Sequence, residues 1–223
     1  MSNDSFIREV DEELRSEKLK SAWDRYGPII IGTAITIAVG TAAYTGWQSY
    51  TNGRANASGD RFLEALTLAQ EGQSDAALTA LGQLEQDGFG QYAVLARMRA
   101  AGERHNAGDT GQAIADFDTI AADGSVPASL RDVARVRAGY LLVDAGTYDD
   151  VAQRVEPLTS TENPFRHSAR EALGMAAWKA ERADDAKRLF DTMLEDPETP
   201  QAMRGRAGVM VDMIIASGKV STG

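Results

Sequence analysis

The stretch "AKRLFDTMLEDPETP", Ala186–Pro200, combines three features of a helical repeat. A small residue opens it, the large apolar Phe190 follows four positions later, and a proline closes it. A spacing of four puts Ala186 and Phe190 on one face of a helix. Three similar pairs precede this one at separations of 36, 38 and 35 residues, which gives eight predicted core positions: Ala77 and Leu81, Ala113 and Phe117, Val151 and Val155, and Ala186 and Phe190.

The segments between these pairs carry the signals that end and begin helices. Gly72, Gly108 and Gly146 each end a helical pattern, and Glu181 occupies the matching position in the fourth. Prolines that can start the next helix follow at Pro127, Pro164 and Pro200. The small residue lets two antiparallel helices approach closely, and the large residue fills the groove between them. The pattern therefore predicts pairs of helices.

A small residue, a large apolar residue four positions later and a proline, at a period of about 34, are typical of tetratricopeptide repeats. One such unit cannot bury its apolar face alone, so the units must stack. Val151 replaces the expected alanine, and the first-helix positions look irregular. We therefore predict an all-α fold with a tetratricopeptide-like α-solenoid of about four helix pairs, closed by a capping helix over residues 201–216.

A second feature is an apolar run with no ionisable side chain other than tyrosine from residue 27 to residue 53. Residues 27–47 would span about 31 Å as a helix, close to the thickness of the hydrocarbon core. Three interpretations are open: a buried core helix, a cleaved secretion signal, or a retained membrane anchor. A long acidic segment precedes the run, whereas signal peptides begin with a short basic one. Tryptophans and tyrosines flank the run, as at membrane interfaces. We favour a retained anchor.

Basic residues near the ends of the run predict its orientation. Arg15, Lys18, Lys20 and Arg25 precede it, and fewer basic residues follow it closely. The excess favours a cytoplasmic N-terminus. The chain then divides into a cytoplasmic amphipathic segment over residues 1–26, a transmembrane signal-anchor helix over 27–50 and an exported repeat domain over 51–223.

The segment before the run places Phe6, Val10 and Leu14, and then Leu19 and Trp23, at helical spacing, which predicts a short amphipathic helix. This helix could bind a membrane surface or a partner, or it could be a solvated helix that only sets topology. We expect the Gly27-Pro28 pair to separate it from the transmembrane helix, because a residue before proline avoids the α region.

Small residues recur on one face of the predicted transmembrane helix. Gly32, Thr36 and Gly40 are spaced by four residues. In lipid, small residues allow helices to pack closely, so this face is a candidate contact with a partner helix or a second copy of the chain. The alternative is that small residues are merely common in this composition.

Composition and motifs argue against nucleic-acid binding, metal binding and catalysis. The net charge of −10 disfavours nucleic acid as a partner, and the chain has no cysteine. His105 and His167 have no companion ligand at metal spacing. The acidic pairs at residues 149–150 and 184–185 fall where second helices begin, so helix capping explains them. Trp178 could line a groove or pack between units. We predict no catalytic residue, no metal site, no cofactor and no small-molecule substrate.

The order of these features carries a resemblance over essentially the whole chain. An acidic "REVDEELRSEKLK" segment, "WDRYG" directly before the span, one anchor and a degenerate repeat domain follow one another. This order resembles the ancillary SecYEG translocon subunit family of Gram-negative bacteria. The resemblance implies a single-pass inner-membrane protein with a periplasmic domain. It also implies association with the membrane-embedded protein-translocation channel and a membrane-anchored periplasmic chaperone of the prolyl-isomerase type, to assist exported proteins.

No motif of this family is catalytic, so the resemblance implies no active-site residue in this chain. A different function is open on the same fold: a scaffold or adaptor of the cell envelope, for cell division or cell-wall assembly, because repeat arrays serve many partners.

Overall fold

The structure is a computed structural model that describes residues 3–220, and within them the side chains of Glu12 and of residues 15–220. The described residues form nine α-helices and one 3₁₀ turn, with no strand, which confirms the predicted all-α class. The helices are α1 (Asn3–Gln70), α2 (Ser74–Asp87), α3 (Tyr92–Asn106), α4 (Thr110–Ala122), α5 (Ala128–Ala145), α6 (Tyr148–Val155), α7 (Arg166–Lys179), α8 (Ala183–Glu195) and α9 (Gln201–Ala216).

The chain forms two compact units that divide between Asn56 and Ala57. The first unit is the greater part of α1. The second begins with the last turns of α1 and contains α2 to α9.

Helix α1 runs unbroken through Gly27 and Pro28, so the expected separation of two helices at this point is wrong. The conformational bias before a proline comes partly from a clash with the β-carbon of the preceding residue, and Gly27 has none. The Trp23 ring, one turn earlier, lies against Gly27, where an added β-carbon would be 3.4 Å from Trp23 Cε2. Pro28 thus lies inside the helix rather than in its first turn. Of the predicted apolar stripe, Phe6, Val10 and Leu14 lie outside the described side chains, whereas Leu19 and Trp23 are exposed on α1.

The apolar part of α1 has the properties of a membrane span. It is the single described helix that is long and apolar enough to cross a membrane, and its most apolar stretch of 18 residues is not buried within the protein. This exposure argues against the core-helix interpretation. The threonine hydroxyls of the run each donate to a carbonyl three or four residues earlier, for example Thr36 Oγ1 to the Gly32 carbonyl at 2.9 Å. These polar groups are therefore satisfied inside the helix, as lipid requires.

The second unit consists of four helix pairs followed by α9. The last turns of α1 pair with α2, and α3 with α4, α5 with α6, and α7 with α8. Helix α9 packs on α8 and covers the end of the array, as predicted for a capping helix. The buried residues form four successive apolar clusters, so each unit buries its face against its neighbours.

The turn within each pair is sharp, and in three pairs it contains a residue in the left-handed region. These residues are Gly72 (φ 77°), Gly108 (φ 94°) and Glu181 (φ 61°). Glycine adopts this conformation without strain, whereas Glu181 is the single non-glycine residue of the described chain that does so. In the third pair Gly146 is extended instead (φ −124°).

The first helices carry a regular core position, so the expectation that they are irregular is wrong at this site. A small buried residue lies sixteen positions before each large residue of the second helix: Ala65, Ala101, Gly139 and Gly174. This small residue allows the two helices of a pair to approach each other closely. A β-carbon added to Gly139 would lie 2.5 Å from Val155 Cγ1, and one added to Gly174 would lie 2.9 Å from Phe190 Cζ.

An ion pair recurs at one end of the units. Arg97 Nη1 lies 3.0 Å from Asp123 Oδ2, which comes 26 residues later and directly after the second helix of the same unit. At the same spacing, Arg61 pairs with Asp87 at 2.9 Å, and Arg170 with Asp196 at 3.4 Å. We call these three contacts the repeat ion pairs. They join the first helix of a unit to the end of its second helix.

The third unit departs from this rule. Arg135 occupies the arginine position, but Thr161 stands where the aspartate would be, and Arg135 instead pairs with Asp132 of its own helix at 2.6 Å. The second helix α6 is also short. It ends at Val155 in a 3₁₀ turn over Glu156–Leu158 that contains Pro157. Proline lacks the N–H that a further α-helical turn would use, which explains the early end of α6.

Candidate protein-interaction groove

The first helices of the units line two pockets that share Tyr140. One pocket, here the apolar pocket, lies among α5, α7, α8 and α9 and has a volume of about 640 Å³. The other, here the basic pocket, lies among α3, α4, α5 and the start of α7 and has a volume of about 720 Å³. Because Tyr140 lines both, the two pockets are neighbours on the first-helix face, and we call them together the groove. Ligand-binding pockets in proteins commonly have volumes in this range.

The apolar pocket is built mainly from flexible or aliphatic side chains. Met175 of α7 and Met210 and Val209 of α9 line it, and Phe190 forms part of its surface. Val209 is 67% exposed, although a solenoid cap normally presents a polar outer face. Methionine adapts to apolar partners of different shape. The pocket can therefore accept a large apolar side chain.

A polar network holds the boundary between the pockets. The Tyr140 hydroxyl donates to Glu171 Oε2 at 2.6 Å, and Arg206 donates to both oxygens of Glu171, at 2.7 Å and 3.0 Å. Burial, and then the hydrogen bond to Glu171, raises the pKa of Tyr140 well above its usual range. Tyr140 is thus fixed as a neutral hydrogen-bond donor, and the Glu171 charge is matched by Arg206.

The basic pocket combines cationic side chains with an apolar surface. Arg99, His105 and Arg137 line it together with Phe117 and Phe165. Arg137 is exposed and makes no hydrogen bond or ion pair within the described part of the chain. Arg99 Nη2 donates to Glu103 at 3.0 Å, whereas Arg99 Nε is buried without a partner among residues 15–220.

The eight predicted repeat-core residues are all buried. Ala77, Leu81, Ala113, Val151, Val155 and Ala186 have no exposed area, and Phe117 and Phe190 are 3% and 1% exposed. Each large residue belongs to one of the four apolar clusters. Phe117 and Phe190 also reach the basic and the apolar pocket respectively, so the same side chains support both packing and groove.

The remaining predicted positions lie apart from the groove. Gly32, Thr36 and Gly40 are exposed on α1, and a β-carbon added at either glycine would meet no described atom within 4 Å apart from its chain neighbours and the nearby helix backbone. Trp178 is half-buried against the cluster formed by α8 and α9 and lines neither pocket, so it packs between units. The acidic pairs lie in the first turns of α6 and α8, and Thr147 and Asp150 form a capping box.

The two histidines have different surroundings. His105 is exposed and lies 2.9 Å from Thr110 Oγ1. His167 is buried at the start of α7, where its Nδ1 lies 3.1 Å from Thr199 Oγ1 and its Nε2 lies 3.8 Å from Asp196. Among the side chains that the structure describes, no group of three or more His, Cys, Asp or Glu residues could hold a metal ion.

Sequence reasoning missed the groove residues Arg137, Tyr140, Glu171 and Arg206. They come from three helices that are distant in the sequence, so no local spacing indicates that they meet. One signal was available in α9: Val209 and Met213 are four residues apart on a helix expected to be polar outside.

The stacked helix pairs and the groove define a class of protein, the α-solenoid that binds other proteins along one helix face. The chain belongs to the tetratricopeptide repeat-like domain family, whose model matches residues 20–209. Proteins with this fold are typically non-enzymatic scaffolds that bind proteins or peptides. No curated protein and no solved structure matches the chain.

Proposed function

We propose that this protein is a membrane-anchored, non-enzymatic interaction module that associates with the protein-translocation channel and with periplasmic chaperones to assist exported proteins. The observation that carries the proposal is a preformed groove on the first-helix face of an α-solenoid whose chain also contains a candidate membrane span. The groove supplies binding, and the span keeps it at the membrane.

The proposed location is the bacterial inner membrane, with the N-terminus in the cytoplasm and the repeat domain in the periplasm. The excess of Lys and Arg before the span supports this orientation. Protease added to spheroplasts should digest the repeat domain and leave the N-terminal segment protected. If the repeat domain resists the protease until the membrane is lysed, the proposed orientation is wrong.

The proposed partners rest on the resemblance described above. The family model matches residues 20–209, a range that includes both the apolar run and the repeats. The alternative function, an envelope scaffold for cell division or cell-wall assembly, uses the same anchor and groove with different partners.

Site-specific photocrosslinking in cells tests the proposal. A photoreactive residue at Val209 would lie in the apolar pocket, and one at Ile215 would lie on the same helix at similar exposure but outside both pockets. We expect adducts with channel subunits and a membrane-anchored chaperone from Val209 and few from Ile215. Adducts with cell-division or cell-wall proteins from Val209 would instead support the alternative.

The small-residue face of the span is a second proposed contact. Gly32, Thr36 and Gly40 lie exposed along one side of α1, and Thr36 donates its hydroxyl inside the helix. This face would allow close approach of a partner helix in lipid.

A further inference from the structure

The groove carries an excess of positive charge at one position. The carboxylate of Glu171 in the groove is matched by Arg206. The buried carboxylate of Glu103, which lines neither pocket, accepts from Arg99 at 3.0 Å. Glu103 also accepts from Ser74 at 2.7 Å, so its charge is well stabilised. Arg137 is left with no acidic partner in the described part of the chain. The protein has a net charge of −10, so an unpaired arginine in a pocket is a local positive charge in an otherwise acidic protein.

The position of Arg137 links this charge to the apolar pocket. Arg137 and Tyr140 are one turn apart on α5, and Tyr140 lines both pockets. A segment lying along the first-helix face can therefore place a carboxylate at Arg137 and an apolar side chain beside Met175, Val209 and Met210. Arg99, whose Nε is buried without a partner among the described residues, also lines the basic pocket.

We propose that the groove binds an extended polypeptide segment that carries an acidic side chain next to a large apolar one. The acidic side chain pairs with Arg137, and the apolar side chain fills the apolar pocket. This inference rests on the proposed function and specifies the chemistry of its partner. The acidic character of the rest of the protein repels such a segment elsewhere, which confines it to the groove.

Binding of a defined peptide to the full chain in lipid nanodiscs tests this chemistry. The probe is a short fluorescein-labelled peptide of glycine and serine with leucine near one end and aspartates near the other, and with its C-terminus amidated. The control probe has asparagine in place of aspartate. We expect the aspartate probe to bind about tenfold more tightly, and added salt to reduce this difference. Equal affinity for the two probes would overturn the proposal.

Two pairs of variants locate the contacts. Arg137→Gln should weaken the aspartate probe about tenfold, whereas Arg188→Gln, an exposed arginine on α8, should leave it within about twofold. Val209→Ser should weaken binding about fivefold, and Ile215→Ser on the same helix should not. Equal effects within either pair would contradict the assignment.

Reversing the charge of both residue 137 and the probe distinguishes a direct ion pair from an indirect effect of the substitution on the groove. Arg137→Glu should lose the aspartate probe and gain binding to a probe with lysine in place of aspartate. If a free C-terminal carboxylate proved sufficient without aspartate, the assigned occupant would be wrong. Crosslinks from Val209 to the channel and chaperone, unchanged by Arg137→Gln, would refute this inference alone. Their absence from the unmodified chain would refute the proposed function.

Discussion

Gly174 of α7 and Phe190 of α8 are packed so closely that a β-carbon on Gly174 would lie 2.9 Å from Phe190 Cζ. The two residues are sixteen positions apart, and the same spacing relates Gly139 to Val155, Ala101 to Phe117 and Ala65 to Leu81. The separation of the two helices in each pair is therefore set by one small and one larger side chain.

The first prediction tests this contact. Gly174→Ala should destabilise the protein by about 1–3 kcal/mol, because the added methyl group meets a ring held in the core. Gly82→Ala is the matched control, since it lies inside α2 with no atom within 4 Å of an added β-carbon. That change should stabilise by about 0.5–1 kcal/mol, through helix propensity. Urea unfolding of the fragment Ala57–Gly223, which we expect to fold alone, measures both. If Gly174→Ala leaves the free energy of unfolding unchanged, α7 and α8 can move apart to accept the methyl group.

The core aromatics give the second prediction. Phe117→Ala and Phe190→Ala should each cost about 3–5 kcal/mol in the same fragment, because each removes a nearly fully buried ring. Exposed Leu63→Ala, on the last turns of α1, should change stability little. Losses below about 1 kcal/mol at both phenylalanines would mean that these rings do not hold the pairs together.

The third prediction concerns acid stability and the repeat ion pairs. Hydrogen bonds from Ser125 and then from Arg97 lower the pKa of Asp123 from 3.8 to about 2. The folded state therefore favours the charged carboxylate. Its contribution is complete above about pH 4 and is lost as the pH falls through about 2. Asp123→Asn should lower stability at neutral pH and lose less on acidification than the parent chain. Urea unfolding midpoints across that pH range measure the loss of stability in each protein. Equal losses in the parent chain and in Asp123→Asn would contradict the prediction.

His167 gives the fourth prediction, in a different pH window. Burial, and then the nearby Arg166 charge, lowers its pKa below the usual 6.5, although Asp196 opposes the shift. Below pH 6.5 the unfolded chain takes up a proton that the folded chain does not, so stability should decrease as the pH falls below 6.5. His167→Gln should reduce this slope, and exposed His105→Gln should retain it because His167 is still present. Urea titrations between pH 5 and 7.5 measure the slopes, and an unchanged slope in His167→Gln would contradict the assignment.

The fifth prediction concerns the span. Gly32→Leu combined with Gly40→Leu should insert normally, because leucine is more apolar than glycine, but should reduce crosslinking to a partner helix. Ala34→Leu combined with Ala38→Leu adds the same side chains to the opposite face and should leave crosslinking intact. If both double variants crosslink like the parent, the span is a plain tether.

The sequence was sufficient to predict the helix pairs, because their signals are local. A small and a large residue four apart, such as Ala186 and Phe190, lie on one helix, and turn residues such as Gly108 act within a few positions. The continuity of α1 could not be predicted, since the bias of a residue before proline is weaker when that residue is glycine, as at Gly27. The groove could not be predicted either, because Tyr140, Glu171 and Arg206 meet only once three helices have stacked.

The repeat ion pairs have a consequence for how such a chain can change over evolutionary time. Arg97 and Asp123 belong to one unit, so a duplication or deletion of that unit moves both partners together. An ion pair between neighbouring units would be broken by the same event. Insertion or loss of whole units therefore leaves each remaining arginine with its own aspartate. Where the aspartate is replaced, as at Thr161, the arginine can pair within its own helix, as Arg135 does with Asp132. The repeat ion pairs would thus survive a change of length in steps of one unit, whereas contacts between units, such as that of Arg154 with Asp118 at 2.8 Å, would have to form anew.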